Sequence, residues 1–213
     1  MADIAVRTVD PPKPALGRHA WIAAALTVLA DEGIDALQIT RLARDLDVTR
    51  GSFYWHFKDR DALLGSVVEE WQAANSGVIA RTLESARSLT DGVLSLFYIW
   101  VNDERFSPRL DQAIREWARW DTAIGAAVRR EEDNRVAAIA GFFRKHDYGE
   151  EDALVRARVL YFTQVGYYAL NLDESMTARL SLTDGYFRTF TGREIDAARA
   201  AEFRRRLREE RAS

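Results

Sequence analysis

Apolar residues recur along this chain at the three- and four-residue spacing of amphipathic helices, and no stretch sustains the alternation of a half-buried strand. From Gly17 to Glu32 the positions Ile22, Ala25, Leu26 and Leu29 form one stripe, and Gly33 is placed to stop the helix. Thr40 is expected to cap a short helix that keeps Leu42 and Leu46 one turn apart on its inner side. Asp47 and Val48 make a tight turn, Thr49 is placed to cap a second short helix ending near Phe57, and Asp59 caps a longer one running from about Arg60 into the eighties. Beyond it, Thr90 and Asp91 open a helix carrying Val93, Leu94, Phe97, Tyr98 and Val101, and Ser107-Pro108 stand in N-cap and N1 order before Leu110, Ile114 and Trp117. Asp121 to His146 reads as one long helix. Glu150 to Leu172 and Thr177 to Phe190 follow, and past Gly192 comes an Arg/Glu-rich helix from Glu194 to Arg211. The pattern predicts an all-α fold, with an N-terminal three-helix helix-turn-helix domain and a larger helical bundle.

Composition narrows the setting. With 47% apolar and 11% aromatic residues the chain can fill a core, and with no cysteine it can hold neither disulfides, thiolate zinc sites nor a cysteine nucleophile. The start, MADIAVRTVDPPKPALGRHA, lacks the order of a signal peptide, and no apolar run is long enough to span a bilayer; a soluble cytoplasmic protein with no membrane partner is expected. No cofactor and no metal is expected either, because His19, His56 and His146 lie far apart and no phosphate-binding glycine loop occurs. The net charge is -3. Between Ala15 and Arg60, the cations Arg18, Arg41, Arg44, Arg50, Lys58 and Arg60 are offset by Asp31, Glu32, Asp35, Asp45, Asp47 and Asp59. Affinity for a polyanion therefore depends on where those cations point.

The most informative run is TRLARDLDVTRGSFYWHFKDRDALL, Thr40 to Leu64. Phe53 and Phe57, one turn apart, can anchor the second short helix on Leu42 and Leu46. That leaves Arg50, Gly51, Ser52, Tyr54, Trp55, His56 and Lys58 near the outside. Such a face suits phosphates and base edges: Arg bidentate to guanine, hydroxyls and imidazole to phosphate, ring edges to thymine methyls. Gly51 costs about 1 kcal/mol of helix propensity relative to Ala, a cost explained by close backbone approach to a phosphate. The alternative is that Tyr54 and Trp55 are core aromatics, Lys58 is merely solvated, and Thr40 and Thr49 are only helix caps.

This run resembles the DNA-binding segment of the tetracycline-repressor (TetR) family, most visibly in VTRGSFYWHFKDRDALL, Val48 to Leu64, and back through Gly33, Ile34, Leu37 and Ile39. The resemblance covers about the first third of the chain. It implies a dimeric repressor in which Thr40, Thr49, Arg50, Ser52, Tyr54, Trp55, His56 and Lys58 face a double-stranded DNA operator of pseudo-palindromic sequence, together with an effector pocket in the larger domain. Asp47 departs from the glycine usual in that turn. Asp tolerates the left-handed region better than most residues, so a kept turn with slight strain is expected. The expected organisation is a flexible arm over 1–14, a helix-turn-helix DNA-binding domain over 15–62, and a helical ligand-binding and dimerisation domain over 63–213.

The larger domain carries many rings, and imperfect packing among them suits a small, largely apolar effector. Phe97, Trp117, Trp120, Gln164 and Tyr168 are candidate ligand residues, with Gln164 and Asn171 the uncommon polar positions on an apolar helix. The segment Asp152 to Leu172 has two apolar stripes: Leu154, Ala157, Tyr161, Val165, Tyr168 and Leu172, and Val155, Val159, Phe162, Gly166 and Ala169. Burial on both sides predicts one stripe on the body and Val159, Phe162, Gly166 and Ala169 on the partner of a homodimer. The RRR run of the last helix reads as solvated rather than as a second DNA contact. A transcriptional activator of the same fold, a protein-binding adaptor and an all-helical enzyme using a carboxylate pair are the competing readings.

Overall fold

The computed structural model describes residues 16–101, 106–170, 172 and 174–210, and no strand occurs among them. The elements in order are α1 (Arg18–Glu32), α2 (Ile39–Asp45), α3 (Arg50–Phe53), α4 (Arg60–Trp71), α5 (Gly77–Glu84), α6 (Leu89–Val101), α7 (Pro108–Trp117), α8 (Thr122–Arg144), α9 (Glu150–Ala169), α10 (Met176–Ser181), α11 (Thr183–Thr191) and α12 (Ala197–Glu210). A 3-10 turn, Ile34–Ala36, lies between α1 and α2, and a π-helical turn, Gln72–Ser76, joins α4 to α5. The segment expected as the arm, 1–14, and Asn171 lie outside the described residues.

Helix ends follow local chemistry. Gly33 closes α1 with φ +83°, where a side chain would be strained, and its N–H donates to the Leu29 carbonyl at 3.0 Å. Asp59, Ser107 and Asp121 each cap the following helix, accepting from Ala62, Leu110 and Ala123 respectively. Two expected caps are corrected. The N-cap of α2 is Gln38 rather than Thr40, and Thr49 holds the N-cap position of α3 without a side-chain capping bond. The α6 start is likewise served by Ser88, whose Oγ accepts from the Asp91 N–H at 3.1 Å, rather than by Thr90. The predicted single helix Thr177 to Phe190 is two, α10 and α11, meeting at Leu182.

Two cores organise the molecule. The first surrounds Trp21, Leu29, Leu42, Phe53, Phe57, Leu63 and Trp71, and recruits Leu110, Ile114 and Trp117 of α7. It therefore extends past residue 62, because α7 lies against α1 and needs an apolar face to cover its own. The second joins α5, α6, α8, α9 and α11 around Ile79, Leu96, Phe142, Phe143, Leu160 and Phe187. Its inner α9 face is Ala153, Ala157, Leu160 and Tyr161. The small alanines let α9 approach α8 closely. That rotation leaves Leu154 43% exposed, so the first predicted stripe of this helix is not buried along its whole length.

Between the cores sits a buried polar network. Asp111 of α7 is 4% exposed and Arg135 of α8 is 1% exposed, and their side chains pair at 2.9 Å. Asp111 also accepts from Trp71 Nε1 at 2.9 Å, Asn75 Nδ2 at 3.3 Å and Arg115 Nε at 3.1 Å. Tyr161 of α9 accepts from Arg115 at 2.8 Å and from Arg135 at 3.1 Å. Burial alone raises the Asp111 pKa; the charges of Arg135 and Arg115 and the bond from Trp71 outweigh it and hold the carboxyl below its ordinary range. Asn75, fully buried, belongs to the π-helical turn, so the irregularity in the connecting helix falls where that helix meets the network.

Candidate nucleic-acid interface

A four-residue helix is too short to stand alone in water, so α3 is held by tertiary contact. Phe53 and Phe57 are 0% and 3% exposed and stack at 5.3 Å between ring centroids; the Trp21 ring meets Phe53 edge-on, also at 5.3 Å. Each such burial is worth about 1.5–3 kcal/mol. Backbone bonds from His56 and Phe57 to the Phe53 carbonyl carry the coil one turn past α3. The approach turn is kept as expected: Asp47 sits at φ +54°, and the Val48 N–H donates to Ala43 at 2.9 Å.

With the phenylalanines inward, the opposite face is forced out. Trp55 is 87% exposed and Tyr54 50%, so neither is a core ring. Thr40, Thr49, Arg50, Gly51 and Lys58 are exposed, and Ser52 and His56 are half-buried. The side chains of Thr40, Thr49, Trp55, His56 and Lys58 form no hydrogen bond or ion pair among the described residues. Ser52 Oγ donates to the Thr49 carbonyl at 2.6 Å, and Arg50 Nη2 to Tyr54 Oη at 3.2 Å, which aligns the guanidinium along the outer face. No contact within the chain requires glycine at 51: a Cβ there would meet only Thr49 Oγ1 at 3.6 Å.

The structure also sorts the cations. Arg18 donates to Ser66 and lies 4.8 Å over the Phe57 ring, and Arg60 donates to the carbonyls of Leu37 and Ile34. Arg41 is matched by Glu32 and Asp45, and its hydrogen bond to Glu32 holds that carboxyl below its ordinary range. Arg44 pairs with Asp45 at 3.3 Å yet stays largely exposed, and Arg50 and Lys58 are directed outward. Arg44, with its side chain 76% exposed, shares a shallow concavity with Gln38 and Thr40. Sequence reasoning did not single out Arg44 beside Thr40; their spacing of four, which puts both on one helix face, was the available signal.

A family model described as bacterial regulatory proteins, tetR family, matches residues 22–67, the unit whose geometry has just been given. That segment is similar to the corresponding part of TetR-family regulators. Among curated relatives, the class C tetracycline repressor protein of Escherichia coli is 42% identical over 60 residues, which are 28% of this chain and 27% of that protein. The match thus spans about a quarter of the relative's length. The fold likeness runs further. A TetR-family regulator from Mesorhizobium loti superposes with a TM-score of 0.64 at 18% identity, covering 82% of this chain and 95% of that one. A regulator, FadR, from Bacillus subtilis, solved in complex with stearoyl-CoA, gives 0.58 at 13% identity over 81% and 97% of the two chains.

The other predicted residues are only partly brought together in the larger helical bundle. Phe97 and Gln164 line one cleft, between α6, α9, α11 and α12. Trp117 does not reach it, being 7% exposed in the first core, and Trp120 stands 90% exposed beyond the end of α7. Tyr168 donates to the Trp100 carbonyl at 2.5 Å and stacks on Phe106, on the far side of the cleft wall. Of the five predicted ligand residues the structure brings only Phe97 and Gln164 together on this cleft, because α7 turns its tryptophan toward α1 rather than toward α9. On α9, Val159 is 44% and Phe162 47% exposed, with Gly166 half-buried and Ala169 exposed on the same side. No helix among the described residues is long and apolar enough to cross a membrane.

Proposed function

We propose that the chain is a homodimeric, ligand-responsive transcriptional repressor, with residues 15–62 docking on a pseudo-palindromic DNA operator and 63–213 binding effector and partner. The observation that carries this reading is the exposed face formed by α2, α3 and the turn that follows α3. Thr40, Thr49, Trp55, His56 and Lys58 point outward with unmet hydrogen-bonding groups, around a tryptophan that is 87% exposed. A lone soluble domain gains nothing by showing water such a side chain, whereas a DNA groove offers phosphates to the donors and thymine methyls to the ring. Arg50, at the start of the recognition helix, reads a base edge; Thr40, Thr49, Arg44 and Lys58 hold phosphates, with Gly51 allowing close backbone approach. Repression is favoured over activation because the curated relatives that match over about a quarter of their length include tetracycline repressors.

The exposed α9 stripe of Val155, Val159, Phe162, Gly166 and Ala169 supports a two-fold dimer that presents two recognition helices. The cleft beside the same helix supports an effector site, and the FadR structure with stearoyl-CoA is a case of a ligand on a similar fold. Coupling runs through Tyr161. It lies beside Leu160 and three residues before Gln164, both cleft residues, and it bonds the arginines that hold Asp111 against Trp71 and Asn75 of the connecting helix. An effector that shifts α9 thereby shifts α4 and the spacing of the recognition helices. Capture of sheared genomic DNA on the purified protein, followed by sequencing, tests the reading. Enriched fragments sharing an inverted repeat are expected, and uniform recovery of all fragments refutes operator recognition.

A further inference from the structure

The cleft narrows the chemistry of the effector. Its walls are largely apolar, with Phe97, Leu160, Phe190 and Leu207 among them, and one cation enters: Arg179 of α10. The Arg179 guanidinium lies 5.2 Å over the Tyr167 ring, and its Nε is buried with no acceptor. Several other arginines on the neighbouring elements are matched, Arg204 with Asp184, Arg206 with Glu210 and Arg156 with Asp152. Among the described residues no carboxylate pairs with Arg179. Glu174 is occupied elsewhere, accepting from Tyr167 Oη at 3.0 Å, while Tyr167 also shares a 2.9 Å bond with Tyr186. Burial and these two bonds push the Tyr167 hydroxyl above its ordinary range, so that part of the wall stays neutral. Trp100, which lines the same cleft, has a buried Nε1 that likewise lacks an acceptor. Buried donors without acceptors are uncommon in folded proteins. Two of them on one apolar cleft, one belonging to an unmatched cation, call for an anionic acceptor from outside.

We propose that the effector has an apolar body and a single carboxylate, the body lying among Phe97, Leu160 and Phe190 and the carboxylate on Arg179. This rests on the cleft being the effector site. A guanidinium fork takes a carboxylate through two parallel bonds, which an alcohol or amine cannot reproduce. The enclosed volume is about 80 Å³, against roughly 300–1,000 Å³ in ligand sites, so a wall yields on binding. One wall placed to yield is α12, which contributes Phe203 and Leu207 to the cleft and buries only Ala200 and Leu207.

The test is titration calorimetry on the full chain with octanoate and 4-phenylbutanoate, each beside the primary alcohol of the same skeleton, for the native protein, Arg179→Met and Arg179→Lys. The native protein is expected to bind each carboxylate at least roughly tenfold more tightly than its alcohol. Arg179→Met, at a partly exposed position, should keep its circular dichroism and alcohol affinity while losing that preference; Arg179→Lys should retain part of it. Equal affinity for acid and alcohol in the native protein, or an undiminished preference in Arg179→Met, overturns the carboxylate assignment while leaving the effector cleft standing. Failure of all four probes to bind overturns both. Hydrogen exchange in the same complexes reads the wall: altered exchange over 197–210 is expected, and unchanged exchange there rules out its displacement.

Discussion

Replacing Asp111 by Asn removes the one carboxylate on which three helices converge. Arg135, 1% exposed, and Arg115, with its side chain 16% exposed, would then lose the anion at 2.9 and 3.1 Å. Asn keeps an acceptor for Trp71 and Asn75, so the change is mainly one of charge. Two unit charges at 4 Å interact by about 4 kcal/mol at an effective dielectric near 20, and removing one member of a buried pair typically costs about 3–5 kcal/mol. Tyr161 and Glu132 still accept from the arginines, which places the expectation toward the lower end, about 3 kcal/mol. For a chain of this size that corresponds to a fall in Tm of roughly 6–12 °C. The comparison is Asp152→Asn, whose pair with Arg156 at 2.9 Å is half open to water and should cost less than about 1 kcal/mol. Thermal and urea unfolding followed by circular dichroism measure both. The network also has a pH signature. The Asp111 carboxyl is held below its ordinary value of about 3.9, so its contribution is fully present above that pH and is lost as pH falls through the depressed folded-state value. Asp111→Asn should flatten this acid limb. An Asp111→Asn loss no larger than that of Asp152→Asn would refute the energetic account of the network.

At the DNA face, Arg50→Ala should weaken binding to the operator by about 1–3 kcal/mol and relax preference at one base pair; equal loss on random DNA would reduce Arg50 to a phosphate contact. Lys58→Ala should lower the slope of log affinity against log salt by about one unit, and an unchanged slope removes Lys58 from the interface. Gly51→Ala separates folding from binding. Its Cβ meets only Thr49 Oγ1 at 3.6 Å, so stability should rise by up to about 1 kcal/mol while operator affinity falls; undiminished affinity in gel-shift titration contradicts close backbone approach. A Cβ on Gly166 would meet nothing within 4 Å in the single chain, so Gly166→Trp should preserve helical content yet sediment as a monomer. A dimer in that variant would place the interface elsewhere.

Helix existence was legible because local chemistry writes it: the Asp59, Ser107 and Asp121 caps, the Gly33 stop and the Phe53/Phe57 spacing act within one or two turns of chain. The outer face of α3 was legible for the same reason. Once two rings one turn apart are buried, helical geometry fixes which residues face away. Caps that depend on where a helix happens to begin were less certain, and Thr40 and Thr49 proved to leave their hydroxyls unengaged. What only the tertiary structure decided involves partners far apart in the chain. A neutral tally of charges between Ala15 and Arg60 could not reveal that Arg18, Arg41 and Arg60 are consumed internally while Arg44, Arg50 and Lys58 face out, since ion pairing depends on angstroms and not on composition. Trp117 and Trp120 carry the same apolar signal as any cleft aromatic, yet one faces α1 and the other faces water, because the orientation of α7 is set by what it covers. The Asp111, Arg135 and Tyr161 network joins residues 24 and more positions apart, and no periodicity along the chain announces such a meeting. The sequence by itself determined most of the helices and the exposed face proposed for DNA; the packing of those helices determined which charges are engaged within the chain and where a cleft opens between helices.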